Sequence, residues 1–338
     1  MRRLMRNLLF QLPPEIAHQI AQYLLRLRYA DFFYSADLPT VKKPIIVFGL
    51  EFPNPVGLAA GWDKNAECFD ALFRLGFGFV EVGTVTPKPQ KGNPKPRLFR
   101  IPKKQALINR MGFNNDGVDA VVQKLQLRKT PGILGVNIGK NKETPLHHAL
   151  DDYQLCLKAV YPYADYIVVN ISSPNTLDLR ALQSDHYLPD LLAGLNNARK
   201  NAAGVYHRDV PLLLKTTVDF PASQYPVFVQ TLLDNEIEGI VISNTTTDHS
   251  AVAGFRHADE AGGLSGAPIF SRTTQMIADI HQISQGKLPI IGVGGIFSAS
   301  DAIAHRDAGA QLFQLYTGFV YRGPSLIQEI LDKMSYNE

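Results

Sequence analysis

Asn137, Asn170, Lys215, Ser243, Asn244 and Thr245 each close a short apolar run on its C-terminal side. One asparagine in such a place reads as a turn former. Three asparagines and a lysine at the ends of four runs are harder to read as turns. They make a ring of amide donors and acceptors suited to gripping a flat heterocycle. Lys215 lies in PLLLKT, and a lone charge in an apolar strand is costly without an anionic partner. A reduced flavin is one such anion. The string NISSPNT, residues 170–176, adds two hydroxyls and a bend at Pro174 and Asn175. By itself it reads as a strand-ending turn.

A second set of residues suits a phosphate. LPIIGVGGI ends its apolar run in Gly294 and Gly295, and QLFQLYTGF ends in Tyr316, Thr317 and Gly318. Backbone amides can approach a phosphate closely only where no side chain intervenes, which is what glycine provides. The loop Gly262–Gly266 (GGLSG) strengthens the same reading. There is no GxSxG elbow, so a hydrolase nucleophile is not expected. No HExxH and no His/Cys cluster marks a metal site, and Cys68 and Cys156 form no CxxC pair.

Eight β-rich apolar runs can position these groups: 55–61, 78–84, 133–138, 166–171, 211–217, 239–244, 288–294 and 311–317. Most are continuous rather than alternating, as in strands buried on both faces of a parallel sheet. Helix-length stretches separate them, among them 116–127, 151–161, 223–235, 272–285 and 299–308. Eight such units predict a (β/α)8 barrel, whose functional face is the C-terminal end of the strands. A doubly wound open sheet is the alternative from pattern alone. A chain of 338 residues, 45% apolar and 19% charged, is long enough for one barrel and a sizeable core.

Two segments exceed a bare barrel. Residues 87–113, rich in Pro, Lys and Arg, read as a long loop that is functional or disordered. Residues 1–40 read as a helical extension. There Ile16, Ile20, Tyr23, Leu24 and Leu27 follow helical spacing after Pro13 and Pro14, and Leu4, Met5, Leu8 and Leu9 could form one face of an earlier short helix. Periodicity alone favours a helix packed on the barrel floor. Arg2, Arg3, Arg6, Arg26 and Arg28 give this segment a basic excess that hints at an anionic membrane surface. No apolar run approaches the roughly 18 residues needed to span a bilayer. A net charge of +3 gives no general case for nucleic-acid binding.

Nine strings carry a family resemblance: AAGWDKN (59–65), EVGTVTPKPQ (81–90), GNPKPRLFR (92–100), NRMGFNN (109–115), VNIGKNK (136–142), NISSPNT (170–176), SNTT (243–246), GGLSG (262–266) and GVGGI (292–296). Together they resemble the class 2, quinone-reducing, membrane-associated dihydroorotate dehydrogenases, from about Leu8 to the end of the chain.

The resemblance implies an FMN-dependent oxidation of dihydroorotate to orotate in pyrimidine biosynthesis, with electrons passed to a membrane quinone. It implies Ser173 as the base, relayed through Thr176 and water. Class 1 members carry Cys at this place, so Ser173 and the extension speak against a soluble fumarate- or NAD-using enzyme. Ala60, Gly61, Trp62, Asp63, Lys64, Thr84, Asn137, Asn170, Lys215, Ser243, Gly266, Gly295, Tyr316 and Thr317 match the FMN positions, with Lys215 stabilising the anionic reduced flavin. Lys64, Asn109, Asn170, Asn175, Asn244 and Thr245 match the substrate cage, completed by the backbone groups of Arg110, Met111, Gly112 and Phe113. His18, Arg100 and Tyr316 are candidates for lining a quinone path, with a solvent-facing His18 as the alternative.

The family arrangement divides the chain into an extension (1–40) and a barrel (41–338). It places the protein peripherally on the cytoplasmic side of the cell membrane. Trp62, Leu177-Asp178 and Thr216-Thr217 depart from the common pattern, and the change at 177–178 bears on closure of the loop over the substrate. A non-catalytic barrel that binds a phosphorylated ligand is the rival from another class.

Overall fold

Eight parallel strands close a barrel in the computed structural model, which describes residues 8–27, 44–176 and 178–335. In chain order the barrel strands are β3 (Val56–Leu58), β4 (Phe79–Val85), β7 (Ile133–Ile138), β8 (Tyr166–Asn170), β9 (Leu212–Thr217), β10 (Gly239–Asn244), β12 (Ile290–Val293) and β13 (Leu312–Leu315). Each pairs in parallel with the next, and β13 returns to β3 through Phe313↔Val56. All eight expected runs hold a barrel strand, and the open-sheet alternative is excluded. The strands are buried nearly throughout, as continuous apolar runs require.

Helices follow the strands as anticipated, for example Ala149–Val160, Tyr225–Asp234 and Phe270–Ile283. They bury Leu, Ile, Val and aromatic side chains against the outer faces of the strands. A separate cluster fills the interior, including Phe79, Tyr166, Leu213, Val241 and Ile291. The hairpin β1 (Ile45–Val47) and β2 (Leu50–Phe52) plugs the N-terminal end, with Phe52 edge-on to Phe79 at 5.3 Å.

Residues 87–113 are not a long structureless loop. They hold β5 (Leu98–Ile101) and β6 (Ala106–Asn109), an antiparallel pair. The GGLSG segment, expected as a loop, contains a third strand, β11 (Gly263–Gly266), paired antiparallel to β6 with Gly263 opposite Asn109. Apolar side chains Phe99, Ile101, Ile108, Val252 and Leu264 give this small sheet its own core. The loops after β4 and β10 are thereby stitched together at the mouth of the barrel.

The helix Pro14–Arg26 starts at a proline, as its sequence suggests. It turns Ala17, Ala21 and Leu25 toward the barrel. The apolar stripe faces the other way: Ile16, Ile20, Tyr23 and Leu27 are 36–56% exposed. Periodicity identified the apolar face, but that face is not the one packed on the barrel. Residues 8–11 are also helical, whereas Leu4 and Met5 lie outside the described residues. No helix among the described residues is long and apolar enough to cross a membrane.

Candidate functional site

The strand ends converge on one cavity of about 1010 Å³, its open mouth included. Its wall carries Ala60, Gly61, Lys64, Thr84, Asn109, Met111, Gly112, Phe113, Asn170, Ser173, Asn175, Lys215, Ser243, Asn244, Thr245, Gly266, Gly295, Tyr316 and Thr317. Residues far apart in sequence meet there because they lie at, or in the loops that follow, the C-terminal ends of the parallel strands. Four expected residues stand outside the wall. Trp62 packs between His18 and Phe319, with centroids at 4.8 and 5.8 Å. The Asp63 carboxylate is fully buried and accepts the backbone N–H groups of Glu67 (2.7 Å) and Cys68 (2.9 Å). Asn137 lies beneath the wall. Arg110 turns its side chain outward onto Glu260 (2.7 Å) and the Phe99 ring.

A buried polar chain underlies the site. The Glu81 carboxylate, fully enclosed, accepts from Asn137 Nδ2 (2.8 Å), Gln314 Nε2 and the Tyr166 hydroxyl (3.5 Å). Lys215 Nζ lies 3.9 Å from Glu81 and supplies its cation. Burial pushes the Lys215 ammonium below its ordinary range, and Glu81 opposes that shift. Above this pair, Thr84 donates to Asn137 Oδ1, and Asn170 Nδ2 donates to both Thr84 (2.9 Å) and Asn137 (3.2 Å). Asn170 Oδ1 accepts from the Ser172 hydroxyl (3.1 Å), which in turn accepts from Asn244 Nδ2 (3.0 Å).

The sequence reading missed Glu81 and Gln314 as part of this floor. The available signals were an acid inside the apolar run FVEVGTV and an amide inside QLFQLY.

Ser173 is buried, and its Oγ accepts from Asn175 N at 3.3 Å. Asn175 Nδ2 reaches back to Asn109, at 3.1 Å from the carbonyl and 3.3 Å from Oδ1. That bond joins the loop after β8 to the end of β6. Lys64 Nζ donates to the Gly61 carbonyl. Burial, aided by the Arg97 charge, pushes its ammonium down to about 8. Burial pushes the Tyr316 phenol up to about 12.

On the opposite side the backbone is laid out for a phosphate. Gly295 has φ +75, and a Cβ there would lie 2.5 Å from that of Phe270. Gly266 has φ +103, and its Cβ would meet the Gln105 carbonyl at 2.2 Å. Only glycine fits either position. The Thr317 hydroxyl sits 2.8 Å from that of Ser265. Buried polar atoms with no protein partner include Gln314 Oε1 and Thr245 Oγ1, both in cavity-lining residues, and Thr176 Oγ1 in the loop of Ser173. Orphaned buried acceptors and hydroxyls of this kind require a ligand or water. The glycine cradle, the polar floor and these orphans therefore fit a flat heterocycle that carries a phosphate.

His18 is not solvent-facing. Its Nε2 donates to the Trp62 carbonyl at 2.9 Å, beside Gln22 Nε2 at 2.8 Å on the same acceptor. Burial, with Lys64 adding to it, lowers the His18 imidazole to about 4. Arg100 Nη1 donates to the carbonyls of Phe10 and Leu12, both at 3.0 Å, and its guanidinium covers the Phe10 ring. Thr216 Oγ1 donates to Gln183 (2.8 Å) and Thr217 Oγ1 to the Thr245 carbonyl (3.2 Å). Leu177 lies outside the described residues, while Asp178 takes φ +53, a left-handed value.

The family model for dihydroorotate dehydrogenase matches residues 44–337. A Methylococcus capsulatus protein named dihydroorotate dehydrogenase (quinone) is 50% identical, covering 97% of this chain and 96% of its own. An Acinetobacter baylyi protein of the same name is 48% identical, over 98% and 99%. Among solved structures, Eimeria tenella DHODH in complex with ferulenol superposes with a TM-score of 0.87 at 35% identity. It covers 95% of this chain and 90% of that one.

Proposed function

This chain belongs to the dihydroorotate dehydrogenase family, and from that premise we propose that the cavity at the barrel mouth holds FMN and dihydroorotate side by side. The enzyme oxidises dihydroorotate to orotate and passes the electrons to a quinone, a step of pyrimidine biosynthesis. Relatives of the quinone-dependent kind match nearly the whole chain, which disfavours the soluble class 1 and non-catalytic readings.

The observation that carries the site assignment is the convergence of Ser173, Lys215, Asn170, Asn175 and Asn244 with the Gly266/Gly295 cradle on one cavity. Gly266, Gly295 and Thr317 are suited to the phosphate of FMN, and Lys215, Asn170, Thr84 and Gln314 to its ring. Bound flavin supplies the acceptor for the hydride leaving ring carbon 6 and the route onward to the quinone. Asn109, Asn175, Asn244 and Thr245 offer amides and hydroxyls to the edges of the substrate.

Ser173 Oγ takes the proton from ring carbon 5. Serine is a weak base in water, so its burial and the orphaned Thr176 hydroxyl, with ordered water, support a relay that carries the proton away. The Lys215 ammonium, held beside Glu81, keeps positive charge beneath the site as negative charge arrives.

The outward apolar stripe of Ile16, Ile20, Tyr23 and Leu27 supports a peripheral seat on the cytoplasmic side of the cell membrane. The extension (1–40) would then form a membrane-facing unit appended to the barrel (41–338). His18, Arg100 and Tyr316 are suited to line the quinone approach between them.

The test is anaerobic addition of dihydroorotate while flavin absorbance is followed. The purified protein should be yellow and should bleach. Ser173→Ala should keep its flavin and bleach about 10²–10⁴ times more slowly, the usual worth of a positioned base. Bleaching of Ser173→Ala within a few-fold of wild type would remove the base assignment.

A further inference from the structure

Three charged residues that do not line the cavity tie together the loops that do. Arg180 lies in the turn Leu179–Gln183 that ends the loop of Ser173. Its guanidinium donates in three directions: Nε to the Ser172 carbonyl, Nη2 to the Thr245 carbonyl and Nη1 to Asp219 Oδ2, each at 3.0 Å. Ser172 immediately precedes the base, and Thr245 belongs to the substrate cage.

Asp219, in the loop after β9, gathers the other ends. Its carboxylate also accepts from Thr246 Oγ1, Thr247 N (2.9 Å) and Arg272 Nη2 (3.1 Å). Arg272 sits in the helix Phe270–Ile283, whose first residue closes against Gly295. It donates as well to the Val218 carbonyl at 3.2 Å. Burial pushes the Asp219 carboxyl up, but the bonds from Thr246 and Thr247 and the Arg180 charge outweigh it and hold the group below its usual range.

The cluster thus spans the loops after β8, β9 and β10 and the helix behind the phosphate cradle. A guanidinium is planar, so three bonds to three separate loops fix their mutual orientation. The loop of Ser173 needs such a tie, because it passes through the left-handed Asp178, where no glycine eases the turn. An error of about 1 Å in the placement of a reacting group can cost on the order of 10²-fold in rate.

We propose that Arg180 and Asp219 are positioning residues for the oxidation: by clamping the Ser172 and Thr245 carbonyls to one carboxylate, they hold the Ser173 hydroxyl at its working place in the cavity. This rests on Ser173 being the base. Arg180 acts through that hydroxyl, so its effect depends on the hydroxyl being present.

A double-mutant cycle on the full-length flavoprotein tests it, read by stopped-flow flavin reduction at saturating dihydroorotate. In the wild-type background Arg180→Gln should slow reduction about tenfold with flavin retained, a modest misplacement. In the Ser173→Ala background the same change should cost less than about twofold, since coupled residues are non-additive. Arg180→Lys keeps the charge but loses the fork, and it should recover little of the rate. Asp219→Asn, the milder variant, should give the same pattern at about three- to tenfold.

An equal cost of Arg180→Gln in both backgrounds overturns the proposal, as does full rescue by lysine. Loss of flavin or folding in both Arg180→Gln and Asp219→Asn also overturns it, because the cluster then serves the fold. A slow Ser173→Ala with an unaffected Arg180→Gln removes this proposal alone. A fast Ser173→Ala removes the base reading and this one with it.

Discussion

The mouth of the barrel and the helix Pro14–Arg26 satisfy their polar groups in opposite ways. In the mouth, side chain bonds side chain across strands: Glu81, Asn137, Thr84, Asn170, Ser172 and Asn244 form one buried chain. The helix and its flank are held partly by side chains on main-chain carbonyls at the rim: His18 and Gln22 on Trp62, and Arg100 on Phe10 and Leu12. Ion pairs reinforce them: Glu15 with Arg97 at 2.7 Å and with Lys95 at 3.5 Å, and Arg26 with Glu67 at 3.3 Å. The polar groups of the mouth are enclosed by their neighbours, whereas the helix turns Ile16, Ile20, Tyr23 and Leu27 outward. A network of mutually bonded side chains is preorganised and intolerant of change. A helix held by a few bonds at one rim can be removed while the floor of the site stays intact.

Deleting residues 1–30 tests that separation with the largest expected effect. Dihydroorotate should still bleach the flavin at near the native rate, while turnover with a long-chain quinone falls to background and a small soluble acceptor still works in part. Membrane binding should be lost, and in the intact protein it should weaken as salt rises where the arginines contribute. Paired stopped-flow and steady-state assays on one truncated sample decide the matter. Loss of both activities together with the yellow colour would show that the helix is part of the core.

Lys215→Ala tests the mouth. It strands the enclosed Glu81 carboxylate, and breaking a buried pair in this way costs about 3–5 kcal/mol. It should also lower the flavin's reduction potential by tens of millivolts, where about 30 mV equals 1.4 kcal/mol for two electrons. Adding Glu81→Gln should restore stability without restoring the potential. Full flavin occupancy at an unchanged potential in Lys215→Ala would contradict its electrostatic role.

The smallest effect compares two histidines, one in the helix Ala299–Asp307 between β12 and β13 and one in the helix Pro14–Arg26. His305 is fully buried, stacks on Phe270 at 5.3 Å and leaves both ring nitrogens without partners; burial holds it at about 4, as it does His18. Both are neutral when folded and take up protons near 6.5 when exposed. Their contribution is therefore complete above about pH 6.5 and is lost as pH falls toward 4. Each should cost about 2 kcal/mol at pH 5 by linkage. His305→Phe should flatten the pH dependence of global unfolding. His18→Gln should flatten only the undocking of the helix, followed by Trp62 fluorescence. An unaltered pH dependence of unfolding in His305→Phe would sink this assignment.

Much of this architecture could be read along the chain, and for a physical reason. Strands buried on both faces are apolar at most positions, so eight continuous runs announce eight barrel strands. The ring Asn137, Asn170, Lys215, Asn244 was legible because polar residues ending such runs stand out. What escaped the reading depends on distant partners. β5 and β6 are short, β5 carries Arg100, and β6 pairs with β11 far along the chain, so nothing local marks them; Leu107 and Ser265, 158 apart, meet there. Glu81 and Gln314 point inward from opposite ends of the chain, and their shared floor exists only in the closed barrel. Helical spacing located the apolar stripe of residues 16–27, but spacing cannot say what covers it. Motif likeness collected the cavity wall together with Trp62, Asp63, Asn137 and Arg110, which support the wall from behind or outside.

The β5–β6–β11 sheet also sets an order of events during synthesis. Its first two strands leave the ribosome long before β11, a delay of roughly ten seconds or more at ordinary elongation rates. Through that interval one edge of β6 stands open, a template for pairing with a neighbouring nascent chain. The hairpin is flanked by features that discourage such pairing: Pro96 before it, and Pro102, Lys103 and Lys104 in its turn. Only when Gly263–Gly266 docks does the edge disappear and the roof of the mouth close. The part of the enzyme that grips small molecules is thus among the last to come into existence, and a nascent chain meets the risk of aggregation before it can hold a ligand.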